Sequence, residues 1–166
     1  MKVSTNKVAQ KLRMTSSGLT LIELMVTIAV LAIIVGIAAP SISTQLANQR
    51  VSSTVSSIES ALKEAKAESI ILRTGISVVY DNTDNTMTLR DTGNNVISTY
   101  TLNDRSQVTV NVIPAGSDIV FQPNKIVSNG VEVTYGVCDS ASTAETRKEV
   151  SVTKIANIST ITNGSC

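Results

Sequence analysis

The spacing of apolar residues changes twice along the chain. From Leu19 to Ala39 it is almost continuous, with Glu23 the single ionisable residue among 21 positions. Pro40 ends this run, because a proline inside a helix removes one hydrogen bond and bends or breaks it. Beyond it Ile42, Leu46, Val51, Val55, Ile58, Leu62 and Ala65 recur mainly at three- and four-residue steps, while Gln45, Arg50, Glu59, Lys63, Glu64 and Lys66 fall between them. That period predicts an amphipathic helix, expected to reach about Leu72 and to stop at Gly75, with Arg73 suited to its C-terminus. A nearly continuous helix from Leu19 to Arg73 would be roughly 80 Å long at 1.5 Å per residue.

From Ile76 the pattern alternates and turn residues arrive at short intervals. Ile76 to Tyr80, Thr86 to Arg90, Val96 to Leu102, Gln107 to Ile113 and Asp118 to Gln122 read as strands, separated by Asn-, Asp-, Gly- and Pro-rich turns. Asn129-Gly130 lies between Lys125-Ile126-Val127 and Val131 to Val137, which predicts a hairpin. Val150 to Ile155 and Ile158 to Ile161 complete the set. The fold class expected is α+β: a long N-terminal helix laid on an antiparallel, β-rich C-terminal domain.

Composition narrows the chemistry. The 166 residues suit one modest domain plus an accessory segment. With no histidine, imidazole catalysis and His-ligated metals are excluded, and with no tryptophan and four aromatic residues (Tyr80, Tyr100, Phe121, Tyr135) stacking platforms for bases are nearly excluded. No phosphate-cradling glycine loop or nucleophile elbow occurs, so no enzyme activity, cofactor or metal is expected. The overall charge of +1 conceals an asymmetry: residues 1–18 carry Lys2, Lys7, Lys11 and Arg13 and no acid.

A basic start followed by a long apolar run is a membrane signal. A cleaved secretory signal fits poorly, since the apolar run exceeds the roughly 7 to 15 residues of such a core and its late small-residue site is followed by Pro40. A plain single-pass anchor accounts for the charges but not for Glu23, because a carboxylate in hydrocarbon costs about 2.5 to 3.5 kcal/mol on insertion scales.

The segment Ser17-Gly18-Leu19-Thr20-Leu21-Ile22-Glu23-Leu24 resembles the prepilin processing site of type IV pilins and type II secretion pseudopilins. The resemblance implies cleavage on the cytoplasmic side after Gly18, methylation of the new amine on Leu19, and Glu23 as fifth mature residue; the family more often begins with Phe than with Leu. It also implies 1–18 as a removed leader, 19–39 as the transmembrane and assembly helix, 40–74 as the amphipathic helix kinked at Pro40, and 75–166 as a periplasmic domain. In an assembled bundle the amine of one subunit would offset the Glu23 charge of its neighbour, which fixes the stagger of one helix on the next.

Phe121-Gln122-Pro123-Asn124, the Val131 to Val137 strand, Cys138-Asp139 and Arg147 to Val152 resemble the C-terminal half of the GspH/FimT family, which takes in FimT- and FimU-type minor pilins and H-type pseudopilins. The implied function is a minor type IV pilin in pilus initiation or tip-complex assembly, serving twitching, adhesion or DNA uptake. The alternatives are an H-type pseudopilin of type II secretion and a DNA-binding competence pilin. Implied partners are other minor pilins, the major pilin, prepilin peptidase/methyltransferase, the inner-membrane assembly platform and the lipid bilayer. The implied location is the inner membrane in a single pass, then the pilus at the cell surface.

Cys138 and Cys166, the only cysteines, would face an oxidising compartment, and a disulfide between them is the simplest reading. Asp81, Asp84 and Asp91 fall in turns without an EF-hand ligand series and read as solvated turn residues. FimT-type DNA capture uses a Gly-Arg-x-Arg motif, and the corresponding Lys154-Ile155-Ala156-Asn157 lacks the arginines. Glu145 and Glu149 flank Arg147 and Lys148, so a mixed solvated surface is favoured over DNA binding.

Overall fold

A computed structural model of the chain describes residues 20–115, 118–141 and 144–166, with the backbone alone for 37–41. Its elements are one helix, α1 (Leu21–Ile71), and eight strands: β1 (Ile76–Asp81), β2 (Thr86–Arg90), β3 (Val96–Thr101), β4 (Ser106–Ile113), β5 (Ile119–Phe121), β6 (Glu132–Asp139), β7 (Thr146–Val152) and β8 (Ile158–Ser165). The α+β arrangement is as expected, an N-terminal helix packed on antiparallel sheets. The chain divides into two compact units, Met1–Ala38 and Ala39–Cys166, so the second half of α1 belongs with the strands. The helix span includes Pro40, whose side chain lies outside the described residues.

In the larger unit the strands form two four-stranded antiparallel sheets, ordered β3-β2-β1-β5 and β4-β6-β7-β8. Among the described residues no ladder joins them. What unites them is the apolar stripe of α1: Val51, Val55, Ile58, Ala61, Leu62 and Ala65 share one buried cluster with Ile76, Met87, Leu89 and Phe121 of the first sheet and Val133, Tyr135, Val137 and Val150 of the second. The 3.6-residue period of the stripe and the two-residue period of the strands meet in this core. Polar bonds stitch the same helix to both sheets. Glu64 accepts from the Tyr100 hydroxyl and Ser69 donates to the Gln122 carbonyl on one side, while Lys148 reaches Ser52 and Thr160 donates to Glu59 on the other. Thr54 and Ser106 share a buried hydroxyl contact at 2.7 Å.

Four expectations need correction. Ile42 and Leu46 are exposed, at 54% and 53%, because the buried stripe begins at Ala47, near the level where Asn48 and Arg50 meet the ends of the second sheet. The helix does not wait for Gly75 to end. Arg73 itself takes the left-handed conformation, φ 53°, and Gly75 instead allows close approach: a Cβ there would lie 3.1 Å from Cγ1 of Val120. Asn129-Gly130 does adopt two successive positive φ values, 54° and 65°, but within a short 3-10 turn at Ser128–Gly130 rather than a hairpin. Val127 is drawn inward, bridging Phe121 and donating to the Lys154 carbonyl, so the strand that follows pairs with β4 and β7 instead. Residues 153–155 form a turn and not the end of a strand; the seventh strand covers Thr146–Val152.

Candidate functional site

Gly18 and Leu19, the expected cleavage and methylation positions, lie outside the described residues. The residues that follow do show how the helix starts. Thr20 accepts from the Glu23 backbone N–H through its hydroxyl at 3.3 Å and from the Leu24 N–H through its carbonyl at 3.1 Å. Thr20 is therefore an N-cap with Glu23 three residues on, the Thr-x-x-Glu spacing of a capping box. This role of Thr20 escaped the sequence reading, although that spacing was its signal. A carboxylate in the first helical turn also lies at the positive end of the helix dipole.

Residues 21–36 of α1 are exposed throughout, including Leu21, Ile22, Leu24, Met25 and Ile33. Among the described residues no helix is long and apolar enough to cross a membrane. Residues 21–36 thus present an apolar helical surface with Glu23 as its one carboxylate.

At the other end of the sequence, Cys138 and Cys166 form a disulfide, with Cα atoms 5.8 Å apart. It ties the end of β8 to β6 across β7. Cys166 also donates its N–H to the Glu145 carbonyl at 3.3 Å. The Glu145 side chain is buried beside this bridge: Oε1 accepts from the Asp139 N–H at 2.9 Å, while Oε2 has no hydrogen-bond partner among the described residues. Cys138, Glu145 and Cys166 are close enough to share an ion, but with the two sulfurs bonded to one another they offer no thiolate.

Asp139 continues the network. Its carboxylate accepts from Arg50 Nε at 2.5 Å and from the Ala141 N–H at 2.9 Å. The hydrogen bond from Arg50 holds the Asp139 carboxyl below its ordinary range and raises the guanidinium. The sequence reading took Arg50 as a polar-face residue and assigned Asp139 no role.

The turn aspartates behave as their composition suggests. Asp81 accepts from the Thr83 and Asp84 N–H groups, and Asp91 from the side chain and backbone of Asn95, which keeps both carboxyls below their usual values. Of the cations near the segment that corresponds to the Gly-Arg-x-Arg motif, Arg147 pairs with Glu149 at 2.9 Å and lies over Gly136, and Lys148 is bonded to Ser52. Lys154 is exposed in the turn 153–157, where Ala156 adopts φ 53° and its carbonyl accepts from Lys66.

A family model described as the prokaryotic N-terminal methylation motif matches residues 13–39. No curated protein sequence matches the chain. Among solved structures, the type IV minor pilin FimU of Pseudomonas aeruginosa is similar in two crystal forms. One gives 16% identity over 68% of this chain and 94% of that one, with a TM-score of 0.52; the other gives 17% identity over 67% and 98%, with 0.50. The minor pseudopilin EpsH from the type 2 secretion system of Vibrio cholerae gives 11% identity over 66% and 96%, with a TM-score of 0.51. The chain thus carries a prepilin-type methylation motif at residues 13–39, ahead of the fold shared by FimU and EpsH.

Proposed function

We propose that this chain is a minor type IV pilin, cut after Gly18 by prepilin peptidase, methylated on Leu19, and built into a filament through its N-terminal helix. The observation that carries this reading is Glu23 in the first turn of an exposed apolar helix, inside the matched methylation motif. A carboxylate on such a surface is unfavourable in lipid, and a subunit amine beside it offsets that cost only in an assembled bundle. Anchoring in the inner membrane with residues 75–166 in the periplasm follows from the basic leader and the positive-inside rule. FimU is a minor pilin, and the likeness to it supports a part in initiation or at the tip, with other minor pilins, the major pilin and the inner-membrane assembly platform as partners.

Mass spectrometry of the native N-terminus tests the processing: a methylated Leu19 is expected, and an intact Met1 overturns it. Glu23→Ala should be processed normally yet enter filaments poorly; unchanged incorporation defeats the assembly role.

A second reading, an H-type pseudopilin, is favoured by the likeness to EpsH, which covers the same fold to a similar extent. Deletion in the native host separates the two, through loss of surface pili and twitching in one case and loss of exoprotein secretion in the other. DNA is not the partner favoured, because Arg147 and Lys148, which precede the relevant loop, are held by Glu149 and Ser52, which leaves Lys154 as the exposed cation within that loop.

A further inference from the structure

The sheet of β4, β6, β7 and β8 brings three groups able to hold a metal ion to one place. Cys138 lies in β6, Glu145 directly precedes β7, and Cys166 directly follows β8. Both sulfurs and a carboxylate oxygen of Glu145 lie within 4.8 Å of one another. Their placement does not rest on the disulfide alone. Gln107 pairs with Cys138 in the ladder of β4 with β6, Thr146 pairs with Ser165 between β7 and β8, and the Cys166 N–H bonds the Glu145 carbonyl. Opening the bridge would therefore leave two thiols beside the carboxylate.

Glu145 sets this bridge apart from a purely structural one. The residue is fully buried, Oε1 takes the Asp139 N–H, and Oε2 has no hydrogen-bond partner among the described residues. A buried carboxylate oxygen left unpaired is costly, and such a group in a native fold calls for a proton, a cation or a ligand. Arg50 does not fill that place: it interacts with Glu145 electrostatically, but its Nε bonds Asp139. Two thiolates with one carboxylate select a borderline-soft divalent ion such as zinc over calcium or magnesium.

We propose that the chain with its bridge reduced holds a zinc ion between Cys138 Sγ, Cys166 Sγ and Glu145, so that β8 is clamped by metal when the disulfide is absent. Zinc–sulfur bonds of about 2.3 Å set the two sulfurs roughly 3.8 Å apart. Cα atoms separated by 5.8 Å accommodate this. Cys166 is exposed, which leaves the fourth position of the ion open to water. A dithiol opens the bridge by exchange, giving two electrons and two protons to the sulfurs and leaving as its own disulfide. Zinc then displaces the two thiol protons as the Zn–S bonds form. An oxidised dithiol reverses both steps, taking back two electrons and two protons and expelling the ion.

The test uses the full-length chain in detergent micelles without oxygen, reduced by a phosphine that becomes its oxide, and titrated with Co²⁺ and then Zn²⁺. One cobalt per chain should bind, with thiolate-to-metal charge transfer and the strong visible bands of a tetrahedral site, and one equivalent of zinc should displace it. Zinc should also protect both cysteines from alkylation. The chain with its disulfide intact should show none of this. Glu145→Gln, which keeps an acceptor for the Asp139 N–H, should weaken zinc binding about tenfold or more while its oxidised form still carries the disulfide. No cobalt spectrum from the reduced chain, the same binding by the oxidised chain, or equal affinity in Glu145→Gln overturns the proposal. If Glu145→Gln does not fold, alkylation of the unsubstituted chain decides: protection by zinc supports the site, and unchanged labelling overturns it.

Discussion

Arg50 and Asp139 stand 89 residues apart in sequence and meet at 2.5 Å, joining the outer end of the buried helix to the last residue of β6. The Asp139 side chain is fully shielded while that of Arg50 is 23% accessible, so the aspartate depends on this partner more than the arginine does.

The folded Asp139 carboxyl titrates below its unfolded value, as do Asp81, Asp91 and Glu59. The sign follows: the stabilisation is present above the unfolded carboxylate range of about 3.9 to 4.3 and is lost as pH falls through the folded values. Thermal melts between pH 7 and pH 2 should therefore show a falling midpoint on the acid side. Asp139→Asn should lower the midpoint at neutral pH and reduce this acid dependence; an unaltered pH profile would remove the pair from the account.

Leu62 is fully buried where helix and sheets meet, and Leu46, sixteen residues earlier, is about half exposed. Leu62→Ala should cost about 2 to 5 kcal/mol in chemical denaturation, and Leu46→Ala within about 0.5 kcal/mol. Equal effects would contradict the place where the buried stripe begins. That place was not legible beforehand. The period extended Ile42 and Leu46 into the same stripe, but only tertiary packing decides where a sheet stops covering a helix.

Arg73 ends α1 in a left-handed conformation that glycine adopts more readily. Arg73→Gly should stabilise the protein by about 0.5 to 1 kcal/mol. Gly75→Ala should destabilise it, since the new methyl would press on Val120. The sequence pointed to a helix stop in this neighbourhood and chose the glycine, because composition reports which residue tolerates the conformation and not which one is forced into it. The same limit governs Asn129-Gly130, whose conformational preference was readable while the partner of the next strand was not.

The disulfide links residues 28 apart, and loop entropy gives it about 3 to 4 kcal/mol of stabilisation. Cys138→Ser with Cys166→Ser should lower stability by that amount and speed amide exchange in β8, with β1 to β3 little affected. The pairing was open to sequence reasoning because only two cysteines exist. Glu145, buried against them with one oxygen lacking a hydrogen-bond partner among the described residues, was noticed only as a neighbour of cations, since burial of a single carboxylate leaves no mark in periodicity.

The two sheets share α1 as their common element and, among the described residues, have no ladder between them. A load applied along this helix would be borne in parallel by interdigitated side chains and by lateral bonds such as Lys148 to Ser52 and Ser69 to Gln122. Such contacts yield together in shear, whereas a strand pulled from its edge opens one rung at a time.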